Sequence, residues 1–227
     1  GGVLALYLDI FSISPWTLAL YPCILSVKGA IGGLFSGRMS TALHLGTIKA
    51  GFFNNTKVFY LLLASIFTLT FESSLIIGSA LFVIGFFLWD IPLWSSLEIL
   101  AVISATMGVS VLVVSPITLE ASFLSFKHGL DPDVVVYPVA SSVADMIATS
   151  CYVVVLNTFF FSETGRYLVF LVDVIFFAVV LRFLAKNFRE PEFLKTLREF
   201  FITLLIVTVV VNITGSMLGK IKVAIEE

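Results

Sequence analysis

The strongest constraint on this chain is a set of apolar runs that are long enough to cross a lipid bilayer. Residues 58–89, for example, read VFYLLLASIFTLTFESSLIIGSALFVIGFFLW. A helix that spans a bilayer needs about 20 consecutive, mostly apolar residues, and this run exceeds that length. The chain is 59% hydrophobic and 12% charged, whereas soluble domains carry about 25% charged residues. The sequence therefore predicts an all-α fold, a polytopic membrane helical bundle.

The same apolar runs predict where the membrane helices lie. Pro15 suits the first turn of one helix, whose middle is interrupted by glycines that permit either close helix packing or local unwinding. This glycine-rich helix is therefore predicted to be discontinuous or kinked. Residues 58–89 are predicted to be one bent crossing rather than two pieces broken near residues 72–74. The remaining predicted helices cover residues 95–126, 131–160, 167–184 and 200–218, with a charged segment at 186–199. We interpret residues 1–11 as the end of a membrane helix whose start is missing.

The loops between these helices differ in charge, which predicts the orientation of the chain. The basic residues gather in alternate loops: Lys49, Lys57, Lys127, His128, Arg182, Lys186, Arg189, Lys195 and Arg198. The opposite loops carry Asp9, Asp90, Glu98, Glu163 and a single basic residue, Arg166. Loops rich in Lys and Arg stay in the cytoplasm. The chain start and the C-terminal tail are therefore predicted to be extracellular.

Two opposite charges are predicted to lie near the middle of the membrane. Lys28 is about 20 Å along its helix from Pro15, and Asp145 is roughly 16 Å along its helix from Val134, counting ~1.5 Å per residue. Intramembrane charges usually face a cavity or an ion path and pair with one another. A Lys28–Asp145 pair could be structural, or it could be a lock that a cation must displace. Glu72 is also predicted to be deep, if its helix is continuous.

Several classes of function are not supported by the residues. The chain has no glycine-rich phosphate loop, no HExxH and no plausible Ser/His/Asp set, so we predict no enzyme activity and no cofactor. A net charge of −2 gives no reason to expect a nucleic-acid partner. Cys23 and Cys151 lie in apolar runs and are predicted to act as small hydrophobic residues. His44 and His128 are predicted to be solvated residues near the cytoplasmic loops.

Two stretches carry a family resemblance. Residues 26–46, SVKGAIGGLFSGRMSTALHLG, resemble the glycine-rich second-helix motif of MgtE-type magnesium transporters. Residues 131–145, DPDVVVYPVASSVAD, resemble the fifth-helix signature of the same family. The first motif is most similar to the archaeal and eukaryotic solute-carrier branch, in which two such domains are fused. Two predicted helices separate the two motifs, as in that family.

The resemblance implies a pore domain that transports divalent cations, with Mg²⁺ as the transported ion. It also implies that the domain works as a pair, either as a homodimer or with a second homologous domain. Asp145 corresponds to the central metal-site acid of the family, and five further positions are implied to border the ion path: Ser141, Ser142, Gly29, Gly32 and Gly33. Where the family typically has Asn, this chain has Ala30, so one polar ligand of the pore is missing.

The resemblance further implies a division of the chain. Residues 1–161 would form the transport domain, and residues 162–227 would supply a linking membrane helix, a cytoplasmic charged segment and a final membrane helix. Two other functions stay open at this point. One is a cation exchanger driven by Na⁺ or H⁺, in which Asp145, Glu72 or Asp173 carries the coupling ion. The other is a membrane scaffold that transports nothing and contains a structural Lys28–Asp145 pair.

Overall fold

The computed structural model describes residues 8–11 and 13–226, with side chains placed except at 8, 9, 132–140 and 218–226. All regular secondary structure in this part of the chain is helical: α1 (Leu8–Phe11), α2 (Pro15–His44), α3 (Lys57–Trp89), α4 (Ser95–Lys127), α5 (Pro132–Phe161), α6 (Glu163–Asn187) and α7 (Pro191–Glu226). Helices α2 to α7 are each long and apolar enough to cross a membrane. The predicted all-α membrane bundle is confirmed. Most of the predicted truncated helix at residues 1–11 lies outside the described residues.

Local chemistry accounts for several of the helix starts. Three helices begin at a proline, namely α2 at Pro15, α5 at Pro132 and α7 at Pro191. Proline is favoured there because the N–H that it lacks would have no hydrogen-bond partner within the first turn of the helix. Helix α6 begins after Ser162, whose side chain accepts a hydrogen bond from the backbone N–H of Gly165 at 3.1 Å. Such caps satisfy backbone donors that the helix itself leaves unpaired.

The helices differ from the sequence-based prediction in two respects. Helix α2 is uninterrupted through its glycines, so of the two forms predicted for it, discontinuous or kinked, the discontinuous one does not occur. The charged segment at 186–199 is not a loop, because α6 extends to Asn187 and α7 already begins at Pro191. Phe193 is fully buried at the start of α7 against α3. The first turns of α7 are therefore amphipathic and pack against α3. An amphipathic helix of this kind contains no apolar run that would mark it in the sequence.

Several hydroxyl groups inside α3 form hydrogen bonds with the backbone of the same helix. In α3, the hydroxyls of Ser65, Thr68 and Ser73 donate hydrogen bonds of 2.8, 2.8 and 2.6 Å to carbonyl oxygens one turn earlier. An unpaired polar group costs several kcal/mol in the bilayer core, and this back-bonding removes that cost. Helix α3 can therefore pass unbroken through Ser73, as the single-crossing prediction required.

Helix α2 lies at the centre of the bundle and packs against α3, α4, α5 and α7. Its pairing with α7 is antiparallel: the Cys23 thiol donates to the Val211 carbonyl at 3.6 Å, and Arg38 donates to the Thr196 hydroxyl at 2.6 Å at the other end. Buried side chains of both helices belong to the same hydrophobic core. The last membrane helix therefore completes the bundle of its own chain.

Gly215 allows this close approach of α7 to α2, because a Cβ at that position would collide with the backbone carbonyl of Ala19. We expect Gly215→Ala to lower the free energy of unfolding by about 1–3 kcal/mol, as overpacking of a tight contact does. Thermal unfolding of the purified protein in detergent measures this change. Gly37→Ala is the matched control, since a Cβ there meets nothing within 4 Å, and it should be neutral or slightly stabilising. Equal stability of the two variants would contradict the expectation.

Candidate functional site

The two intramembrane charges predicted to lie at matching depth are in contact. The Nζ atom of Lys28, on α2, lies 3.4 Å from Oδ1 of Asp145, on α5. The Lys28 side chain is 13% exposed and that of Asp145 is 47% exposed. The ammonium is therefore on the inner side of the pair, and the carboxylate is on the more open side.

Three polar contacts fix the register of α2 against α5 around this pair. Tyr152 donates its hydroxyl to the carbonyl of Thr17 at 2.5 Å, and the hydroxyl of Tyr21 lies 3.1 Å from that of Thr149. Nearer the other end, the Ser40 hydroxyl donates to the carboxylate of Asp131 at 2.9 Å. Since these contacts lie on both sides of the Lys28–Asp145 pair, the depth of the two charges is set by the packing of the two helices.

A cavity of about 70 Å³ adjoins the ion pair. Four helices line it, through Lys28, Gly29, Ile31, Gly32, Phe35, Ser36, Ile66, Thr70, Met107, Ser110, Val111, Val114, Ser115, Thr118, Ser141, Ala144 and Asp145. Liquid water takes up about 30 Å³ per molecule, so the space admits at least two waters. Asp145 is the sole carboxylate among these lining residues. The cavity thus combines one anion, one cation, hydroxyls and apolar walls.

Two hydroxyls of the cavity wall are buried without a hydrogen-bond partner. They belong to Ser36 on α2 and Ser110 on α4. Buried polar groups in proteins are normally hydrogen-bonded, to protein or to ordered water. Less than 1 Å² of either oxygen atom is accessible to water, so each hydroxyl would have to turn toward the cavity to accept a hydrogen bond from a water molecule.

The backbone of α2 borders the cavity at two of the three predicted glycines. A Cβ at Gly29 or Gly32 would meet nothing within 4 Å, and both residues line the space. Gly33 is in the same helix but is not among the lining residues. Small residues therefore leave room on one face of α2, beside Lys28.

The structure brings some of the predicted site residues together and not others. Ser141 lines the cavity with Asp145, whereas Ser142, three residues before Asp145, is exposed and does not line the cavity. Glu72 is partly buried on α3 but does not line the cavity, although Thr70 of the same helix does. Asp173 lies on α6, which contributes no lining residue. Neither Glu72 nor Asp173 therefore shares this cavity with Asp145.

The residues that α4 contributes to the cavity were not singled out from the sequence. They are Met107, Ser110, Val111, Val114, Ser115 and Thr118. Their spacing of three and four residues places them on one helical face. A search for hydroxyl residues at that spacing inside an apolar helix could have found the serines and the threonine, although not their partners across the cavity.

The other sequence-based site readings concern cysteine and histidine. Both cysteines are free thiols, and Cys23 is buried, as expected of a small hydrophobic residue in an apolar run, whereas Cys151 is only partly buried. His44 and His128 are both exposed, as predicted. In the described part of the chain, no three His, Cys, Asp or Glu side chains lie together where they could hold a metal ion.

Comparison with known proteins gives one family match. A family model described as MgtE, divalent cation transporter, matches residues 21–155, which is more than half of the 227-residue chain. The matched range includes Lys28, Asp145 and every residue that lines the cavity. No curated protein and no solved structure matches the chain.

Proposed function

The chain belongs to the MgtE family of divalent cation transporters, and on this premise we propose that it carries Mg²⁺ across the membrane past Asp145. The observation that supports this assignment most directly is the placement of Asp145: an intramembrane carboxylate beside a cavity that four helices line. Such carboxylates are costly in a bilayer and mark ion pathways.

The oxygen atoms at the cavity suit a cation that remains hydrated. Mg²⁺ dehydrates reluctantly and is usually held by one or two carboxylates with several waters retained. Asp145 supplies a carboxylate, and the hydroxyls of Ser36 and Ser110, which have no protein partner, could turn toward water in the cavity that their residues line. A hydrated Mg²⁺ ion can therefore bind through its water shell, with direct attraction to one negative charge.

We propose that two copies of this domain, or this domain and a homologous one, form the complete pore. Asp145 is 47% exposed in a single chain, which is unfavourable for a carboxylate facing lipid. On the same helix, Ser142, Met146 and Ser150 are all exposed at four-residue spacing. A partner on this face would cover these residues and add a second carboxylate. Two carboxylates near one axis would favour divalent over monovalent cations.

The orientation and the division of the chain belong to the same proposal. Ion pairs and hydrogen bonds gather at one end of the bundle, where Arg38 donates to Glu199 and Lys57 donates to Glu190, both at 2.7 Å. By the positive-inside rule this end faces the cytoplasm, with the chain start and C-terminal tail outside. Residues 1–161 would form the transport domain, and 162–227 the linking and final membrane helices.

Uptake of Mg²⁺ into proteoliposomes that contain the full chain tests the proposal. A transporter or channel should show Mg²⁺ flux down the Mg²⁺ gradient alone. A Na⁺- or H⁺-coupled exchanger should show flux that an imposed Na⁺ or pH gradient changes, and a scaffold should show none. Absence of Mg²⁺ flux from well-folded protein would overturn the proposed function.

The two unpaired hydroxyls provide a more local test. We expect Ser110→Ala and Ser36→Ala each to lower Mg²⁺ flux several-fold, since each removes one acceptor for the water shell, worth about 0.5–1.5 kcal/mol. Thermal stability should be unchanged or slightly raised, because the lost hydroxyl had no protein partner. Ser65→Ala, which removes a hydroxyl outside the cavity, is the control. Normal flux in both cavity variants would show that the hydroxyls do not face the ion path.

A further inference from the structure

Lys28 and Asp145 are the only charged residues among those that line the cavity in the described part of the chain. One is a cation and the other is an anion, so the site is neutral when both are ionised. A Mg²⁺ ion that enters while the pair is intact meets no net attraction. Binding of the metal ion must therefore separate the ammonium from the carboxylate. Whether this can happen depends on the surroundings of Lys28.

The contact between the two groups is longer than a typical charge-assisted hydrogen bond. Charge-assisted N–H···O bonds are typically about 2.7–2.9 Å long, whereas the Nζ–Oδ1 distance here is 3.4 Å. Asp145 is the more exposed partner, at 47% against 13% for Lys28. A cation arriving from the open side therefore reaches the carboxylate first, with the ammonium behind it.

The surroundings of Lys28 allow its ammonium to move. The lysine head is a point charge on a flexible four-carbon stem. Gly29 and Gly32 leave the same face of α2 open. Ser36 and Ser110 also line the cavity, and their hydroxyls, which have no protein partner, could turn to accept a hydrogen bond from an ammonium group. The lysine can therefore leave the carboxylate without entering an entirely apolar environment.

We infer that Lys28 is a tethered counter-cation, which holds the Asp145 carboxylate when no metal is bound and must be displaced by the transported ion. This inference rests on the proposed function of Asp145 as the ion-site residue. A monovalent ion carries the same charge as the ammonium that it must replace, so it gains little by exchange. A divalent ion carries twice that charge. Lys28 is thus a specificity-determining residue, which lowers the affinity for all cations and leaves monovalent ones with too little gain to displace it.

Binding of Mn²⁺ to the purified full chain, followed by electron paramagnetic resonance, tests this inference. Lys28→Gln should bind Mn²⁺ at least about tenfold more tightly than the unaltered protein, because a like charge a few ångströms away has been removed. K⁺ should compete with Mn²⁺ measurably in this variant and much less in the unaltered protein. Lys28→Arg, which keeps the positive charge, should stay within a few-fold of the unaltered protein.

Three further variants make the result decisive. Lys57→Gln is the matched control, because it removes a lysine from an ion pair with Glu190 outside the cavity, and its Mn²⁺ affinity should be unchanged. Lys28→Met is measured beside Lys28→Gln, so that poor folding of one variant leaves the other to decide. Asp145→Asn should lose Mn²⁺ binding.

The outcomes separate the inference from the function on which it rests. Tighter Mn²⁺ binding and new K⁺ competition in the neutral Lys28 variants, with loss of binding in Asp145→Asn, support the inference. Unchanged or weaker Mn²⁺ binding in the neutral Lys28 variants, with loss in Asp145→Asn, overturns the inference and leaves the proposed function standing. Unchanged Mn²⁺ binding in Asp145→Asn overturns both.

Discussion

Replacement of Asp145 by Asn should abolish Mg²⁺ flux, with a fall of at least about 100-fold in the initial rate of uptake into proteoliposomes. Two unit charges 4 Å apart attract by about 4 kcal/mol at an effective dielectric constant of 20, and a divalent ion is attracted more strongly. Each 1.4 kcal/mol corresponds to a factor of ten, so loss of this attraction exceeds two orders of magnitude. Asn keeps the size of the side chain and removes its charge.

Loss of flux could also follow from misfolding, because Asp145→Asn leaves Lys28 buried without its counter-ion. The double variant Lys28→Gln with Asp145→Asn keeps the site neutral and should fold normally, yet it should also carry no Mg²⁺. Asp90→Asn is the control for the chemical change, since Asp90 is an exposed residue outside the cavity with φ of 50°, which Asn tolerates. Its Mg²⁺ flux should be normal.

The same measurement distinguishes the alternative functions. Undiminished Mg²⁺ flux in Asp145→Asn would contradict the assignment of this residue to the ion path. If Glu72→Gln or Asp173→Asn removes the response to a Na⁺ or pH gradient while Mg²⁺ binding persists, those acids carry a coupling ion and the exchanger is favoured. If Asp145→Asn lowers thermal stability and the unaltered protein shows no flux, the scaffold is favoured.

Gly32→Leu should block the ion path without harming the fold. A Cβ at Gly32 meets nothing within 4 Å, and the residue lines the cavity, so a leucine side chain there occupies open space. A side chain of that size takes up much of a cavity of about 70 Å³. We expect Mg²⁺ flux to fall by at least about tenfold. Thermal stability should be equal or higher, since glycine inside a helix costs about 1 kcal/mol relative to better helix formers.

Gly37→Leu provides the matched control for this block. Gly37 lies in the same helix and has the same open surroundings for a Cβ, but it is not among the residues that line the cavity. Its Mg²⁺ flux should therefore be close to that of the unaltered protein. Equal flux in the Gly32 and Gly37 variants would mean that the cavity is not on the path of the ion.

The membrane helices could be predicted from the sequence because the bilayer imposes a simple rule. Every backbone polar group in the hydrocarbon must be paired internally, so an apolar run of sufficient length must be helical. The start at Pro15 followed from the missing N–H of proline. The charged segment at 186–199 was predicted less well, because Phe193 is its only buried apolar residue, so the segment contains no apolar run.

The candidate site could be predicted in part. The Lys28–Asp145 contact followed from equal depth along two antiparallel helices, since rise per residue and orientation can both be estimated from sequence. Glu72 has similar depth by the same reasoning, yet it does not line the cavity. The depth of a residue therefore predicts its level in the membrane, but it does not predict which face of the helix the residue lies on.

The sequence by itself determined that this chain forms membrane helices, where most of them begin, and that one carboxylate and one ammonium lie at a common level. These properties depend on one helix at a time and on the bilayer. Only the tertiary structure decided which side chains share a space. Ser36, Thr70 and Ser110 come from three different helices, and their convergence beside Asp145 depends on helix rotation and on close contacts such as that of Gly215 with Ala19. Those contacts arise from side-chain packing between distant parts of the chain, which no local pattern encodes.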